Sequence, residues 1–150
     1  MAFTLETFTS LQEIAPLYDP LFNQAGRRSV FCSRAWFNLL ASHGFEQLPT
    51  IWVLGVRDGD APALLLILKD DRQSDRDLSS LSNYYSMDFA PLISAALSPV
   101  DLQLVLSLTS QHLAAHQTDW STLRIHPLPE DSPFLDSMTK AFADNGIHLQ

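Results

Sequence analysis

The sequence contains a single cysteine, Cys32, so no internal disulfide can staple the fold. The N-terminus lacks the succession of basic region, apolar run and small-residue cleavage site that marks a leader. Together these absences point to a reducing cytoplasm. Positive charge is scarce: 9 Lys and Arg against 17 Asp and Glu give a formal net charge of -8. That balance disfavours nucleic acid or an anionic membrane as the main partner. The longest apolar run, 61–68, includes Pro62 and falls far short of the roughly 20 residues that span a bilayer, so no membrane insertion is expected. No Gly-x-Ser-x-Gly turn is present to expose a nucleophile. Ser33 and Ser86 are therefore read as caps and Cys32 as a buried thiol.

What the chain does have is apolar mass. Its 150 residues, 46% hydrophobic and 17% charged, suit one globular domain, which at this length buries about two-thirds of its unfolded surface. Neither repeat nor low-complexity tract interrupts it.

Ser10-Leu11-Gln12-Glu13 has the form of a capping box and predicts a helix starting there. Leu11, Ile14, Ala15, Tyr18, Leu21 and Phe22 keep the spacing of one helical face, although Pro16 and Pro20 must break or kink it. Asp19-Pro20 offers a fresh start, and Gly26 is the expected end. Ser33 can cap a second helix over 34–42, with Trp36, Leu39 and Leu40 inward and Gly44 as its stop.

The apolar runs 50–56 and 63–68, joined through Asp58-Gly59, predict a β-hairpin. Both runs are apolar at consecutive positions, so they belong to a central sheet covered on both faces. Residues 70–80 are charged and read as a solvated excursion before a short strand at 78–81. Ser98-Pro99 opens a helix to about position 116, with Leu102, Val105, Leu106, Thr109 and Leu113 on one face. A strand over 120–126 follows, then a helix from 131–133 through Phe134, Leu135, Met138 and Phe142, ended by Asn145-Gly146. Residues 147–150 read as a strand just begun. The order predicts an α/β (α+β) fold with a mixed, mostly antiparallel central sheet covered by helices on both faces.

One segment has no regular period: 82–92, with Asn83, Tyr84, Tyr85 and Asp88 close together, in the kind of loop where binding groups gather. These four can line a cleft that orients a bound amine or hydroxyl through hydrogen bonds, against the plainer reading that the tyrosines pack a sheet edge and Asp88 caps a turn. Arg27 and Arg28 can hold a carboxylate or phosphate, or stand as solvated charges. His112 and His116 have the four-residue spacing of a chelating pair but no third ligand, so no metal site is assigned. His126 and His148 have no partner near in sequence. Trp36, Trp52 and Trp120 are read as core.

The residues 30–37, the hairpin turn Arg57-Asp58-Gly59-Asp60, the segment 81–86 and the segment 120–128 resemble the N-terminal half of the CelD/BcsL-type, FemAB-like acyltransferases, which carry two GNAT folds in tandem. The resemblance implies a GNAT-like domain over 1–150, with Phe3–Phe8 as a first strand, and a second GNAT-like domain C-terminal to it. It also implies an activity for the whole enzyme: an amine or hydroxyl acceptor, small molecule or peptide, attacks an acyl thioester such as acetyl-CoA directly. A base would remove the acceptor's proton and backbone amides would polarise the carbonyl.

Coenzyme-binding relatives use a loop of the form Arg/Gln-x-x-Gly-x-Gly/Ala, whose amides and following helix N-terminus hold the pyrophosphate. The matching region here, 89–101, has no glycine and carries Pro91 and Pro99, which lack amide donors. The expectation is a non-catalytic or substrate-side domain with no cofactor of its own and no identifiable base. Two other functions compete with it. One is a self-contained small acetyltransferase with an atypical coenzyme loop. The other is a non-enzymatic interaction module that forms a homodimer through the strand begun at Ile147.

Overall fold

The computed structural model describes residues 2–71, 77–116, 120–128, 130–132 and 134–148. Its strands are β1 (Phe3–Phe8), β2 (Thr50–Asp58), β3 (Ala61–Asp71), β4 (Asp77–Ser80), β5 (Leu92–Ile93) and β6 (Thr122–Arg124). Its helices are α1 (Asp19–Arg28), α2 (Arg34–His43), α3 (Pro99–Ala115) and α4 (Leu135–Ala143). The sheet runs β1-β2-β3-β4-β6, with β5 paired to β3. All pairings are antiparallel except β4 with β6, which are parallel and joined through α3. The mixed, mostly antiparallel sheet is thus the one expected.

The hairpin forms in the expected place. Asp58 faces Ala61 across a turn in which Gly59 takes φ 57°, the left-handed conformation glycine accepts without a Cβ penalty. Val53, Leu54 and Val56 of β2 and residues 63–68 of β3 are buried. Side chains alternate along a strand, so Gly55 and Trp52, three apart, point to opposite faces. The Tyr18 ring lies against Gly55, and His112 of α3 and His116, the residue just past its end, lie against Trp52 at 6.2 and 5.8 Å between ring centroids. Helical elements therefore cover both faces.

Several boundaries differ from the sequence reading, each for a local reason. No helix begins at Ser10. Glu13 N donates to Ser10 Oγ, but the Glu13 carboxylate accepts from Thr9 rather than Ser10, and Pro16 leaves only a 3-10 helix (Pro16–Tyr18) before α1. The apolar residues Leu11, Ile14, Tyr18, Leu21 and Phe22 are nonetheless all buried. Gly26 does not end α1. It lies inside the helix, where a Cβ would sit 3.3 Å from that of Ser33, so it sets how closely the segment before α2 approaches. Ser33 caps α2 by accepting from Trp36 N at 3.2 Å. The inward face of that helix is Phe37 and Leu40, while Leu39 is exposed.

The charged stretch is not all excursion, because β3 continues to Asp71 and pairs with β4 from Asp77; residues 72–76 of that stretch lie outside the described residues. The strand expected at 78–81 is β4, and β6 occupies the centre of 120–126. Strand β5 is too short to leave a period in the sequence. Ile147 does not begin a strand. It is buried and donates to Phe142 O at 2.9 Å, closing α4 beyond Gly146, whose φ is 78°. Residues 149–150 lie outside the described residues.

Candidate functional site

The loop after β4 is held in place by polar contacts at both ends. Ser80 Oγ and Ser82 Oγ each donate to His126 O at 2.7 Å, and His126 N donates back to Ser80 Oγ at 3.1 Å. Phe89 N donates to Pro127 O at 2.8 Å. Both serines are buried, so these bonds satisfy groups that would otherwise be costly to desolvate. They draw the segment following β6 against the loop that follows β4, tying the ends of the parallel strands together.

Within the loop, Ser86 is the hub. Its hydroxyl accepts from Asn83 N at 3.2 Å and from Trp36 Nε1 at 3.3 Å, and Ser86 N donates to Asn83 O at 3.0 Å. Asn83 is committed to the fold as well. Its Nδ2 donates to Gly44 O at 3.0 Å and its Oδ1 accepts from Tyr85 N at 3.0 Å, an Asx turn pinned to the end of α2. Gly44 closes the end of α2 tightly, since a Cβ there would fall 2.8 Å from the Leu40 backbone.

The tight turn that Asn83 makes throws Tyr84 and Tyr85 outward. Neither packs the sheet edge: Tyr84 is 95% exposed and Tyr85 71%, their rings meeting edge to face at 5.6 Å, with Met87 beside them in sequence at 80%. Asp88 turns the other way. Its Oδ1 is buried and has no hydrogen-bond partner among the described residues, so it caps no turn. It lies close enough to Cys32 to affect the thiol. Burial first, and then the Asp88 charge, push Cys32 above the ordinary thiol range. The structure thus separates the four loop candidates into an anchor, an exposed ring pair and an inward carboxylate.

Arg27 and Arg28 occupy the exposed last turn of α1. Arg34, third of the local arginines, is already engaged, bonded to Asp19 Oδ1 at 2.9 Å with its guanidinium 4.5 Å over the Phe22 ring. Arg28 lines a cavity of about 320 Å³ with Gln24 and the apolar Leu21, Ala25, Leu92, Ile93, Ala95 and Phe134. Arg27 does not line it. Sequence reasoning missed this cavity because its wall includes β5 and the approach to α4, which come together only in the fold.

It also missed a buried polar group beneath the sheet. Tyr18, fully buried, donates its hydroxyl to Glu6 Oε1 at 2.8 Å, and Arg57 Nε donates to the same oxygen at 3.2 Å. Burial and then the Glu6 hydrogen bond raise the Tyr18 hydroxyl far above its ordinary range, so it remains a donor. The one available signal was Glu6 placed amid the apolar residues of β1.

At the other end of the loop region, Ser98 caps α3. Its hydroxyl accepts from Asp101 N at 3.1 Å and donates to Asp101 Oδ2 at 2.9 Å. The first turn of α3 thus already carries a carboxylate, which answers the positive end of the helix dipole. His112 and His116 lie 4.4 Å apart between ring centroids, and no group of three or more metal-binding side chains occurs among the described residues. No helix among those residues is long and apolar enough to cross a membrane. The chain matches no family model, no curated protein and no solved structure.

Proposed function

We propose that this chain is a substrate-side, non-catalytic GNAT-like domain of an acyltransferase, working with a second GNAT-like domain C-terminal to it that holds the acyl-CoA. What supports the reading is the topology. Strand β1 over Phe3–Phe8, then α1, α2, the β2–β3 hairpin, β4, α3, β6 and α4 follow in the element order on which the resemblance rests. The N-terminus of α3 supports the non-catalytic part. Where a coenzyme-binding relative offers glycine amides to a pyrophosphate, this chain offers Pro91, Pro99 and the Ser98-Asp101 cap, whose carboxylate repels an incoming dianion.

In the full reaction the acceptor nitrogen or oxygen bonds to the acyl carbon as the carbon–sulfur bond breaks. The acceptor's proton passes to a base and the leaving thiolate departs. No residue of this chain is assigned as that base. Its contribution is the acceptor side, with the exposed Tyr84 and Tyr85 as the contacts and Asn83 as their anchor; the inward Asp88 is not placed to join them. The buried free thiol of Cys32 fits a reducing cytoplasm. Thiol release from acetyl-CoA by this chain alone tests the proposal. We expect none approaching the order of 1 per second typical of an enzyme, and turnover at such a rate overturns it in favour of a self-contained acetyltransferase.

A second reading, an interaction module, is favoured by the exposed Tyr84, Tyr85 and Met87. A homodimer built on them shows as concentration-dependent sedimentation that Tyr84→Ala with Tyr85→Ala abolishes. Sedimentation as a monomer at all concentrations removes the homodimer.

A further inference from the structure

The cavity beside α1 combines two features that together define a ligand. Its wall is apolar, with Leu21, Ala25, Leu92 and Ile93 buried and Phe134 partly so. Among the described lining residues the charged one is Arg28, which has no hydrogen bond or ion pair among the described residues, in a chain with a formal net charge of -8. Gln24, one helical turn earlier on α1, adds an amide to the lining. A volume of about 320 Å³ lies at the small end of the roughly 300–1,000 Å³ usual for ligand pockets.

From these features we propose that the cavity binds a small monocarboxylate with an apolar tail. The tail fills the space between α1, β5 and Phe134, and the carboxylate meets the Arg28 guanidinium, whose fork of donors matches two carboxylate oxygens. The site lies at the C-terminal end of α1, where the helix carbonyls disfavour an anion. Selectivity for the charged form therefore rests on Arg28. The site needs no coenzyme and no second domain, so it stands or falls separately from the acyltransferase reading.

The test is a titration of the intact chain with phenylacetate, and in parallel with uncharged phenylacetamide, followed by amide chemical shifts. The expected result is saturable shifts confined to Leu21, Gln24, Ala25, Arg28, Leu92, Ile93 and Ala95. The amide should bind at least about tenfold more weakly, the usual scale for losing one charge-assisted pair. Arg28→Gln should erase the preference for the acid, while Arg27→Gln, outside the cavity, should keep it. Equal binding of acid and amide, an Arg28→Gln variant that binds phenylacetate as the parent does, or no saturation by either probe at millimolar concentration overturns the proposal.

Discussion

The hydroxyl of Tyr18 lies directly against Gly55: a Cβ placed on that glycine would fall 2.6 Å from the oxygen and 2.7 Å from Cζ of the same ring. Gly55 sits inside β2, where glycine ordinarily weakens a strand and an alanine would lose less backbone entropy on folding. Here the collision reverses the sign. Gly55→Ala should lower the stability of the fold by about 1–3 kcal/mol, the range for overpacking a core, read from chemical denaturation midpoints. Tyr18→Phe does not rescue it, because the ring carbon remains in the way.

The loop after β4 separates anchoring from exposure. Asn83→Ala removes the bonds to Gly44 O and Tyr85 N and should cost about 1–2 kcal/mol, with faster amide exchange at Tyr85 and Ser86. Tyr84→Ala should change stability by less than about 0.5 kcal/mol, since the ring is almost wholly solvated. If Tyr84→Ala destabilises the chain as much as Asn83→Ala does, the assignment of roles within the loop is wrong.

Much of this was legible beforehand, and the failures have physical causes. The hairpin, the Ser33 and Ser98 caps and the face of α3 were legible because each rests on a local rule: an Asp-Gly turn, a hydroxyl before a helix, a 3.6-residue period. Pro16 outweighed the capping box at Ser10, and the two-residue β5 left no period to read. The exposure of Tyr84 and Tyr85 depended on an Asx turn anchored 39 residues away at Gly44, which no window of sequence contains. The cavity at Arg28 is a product of tertiary contact alone.

His112 gives the fold a dependence on acidity. Burial, and then the neighbouring His116, hold its folded-state pKa below the ordinary value of 6.5. The unfolded chain therefore binds a proton more readily than the folded one, and stability present above about pH 6.5 should fall as the pH drops through that value toward the folded pKa. Denaturation midpoints between pH 8 and pH 5 should show this decline in the parent, with a shallower one in His112→Leu. A midpoint that rises on acidification over that interval contradicts the burial of His112.

Cys32 should be chemically quiet. Its side chain is buried and its pKa is raised, so both access and thiolate fraction are low. A thiol reagent at pH 8 should label the native chain far more slowly than the denatured one, with the native rate tracking the population of opened molecules. Labelling at the denatured rate would mean that Cys32 lies at the surface.

The central claim, that this domain carries no coenzyme site of its own, is tested most directly by calorimetric titration of the chain with acetyl-CoA, with free coenzyme A as the comparison. The account predicts no binding by either ligand up to millimolar concentration. Saturable micromolar binding of acetyl-CoA would contradict it, because the capped N-terminus of α3 would then be no barrier to the pyrophosphate.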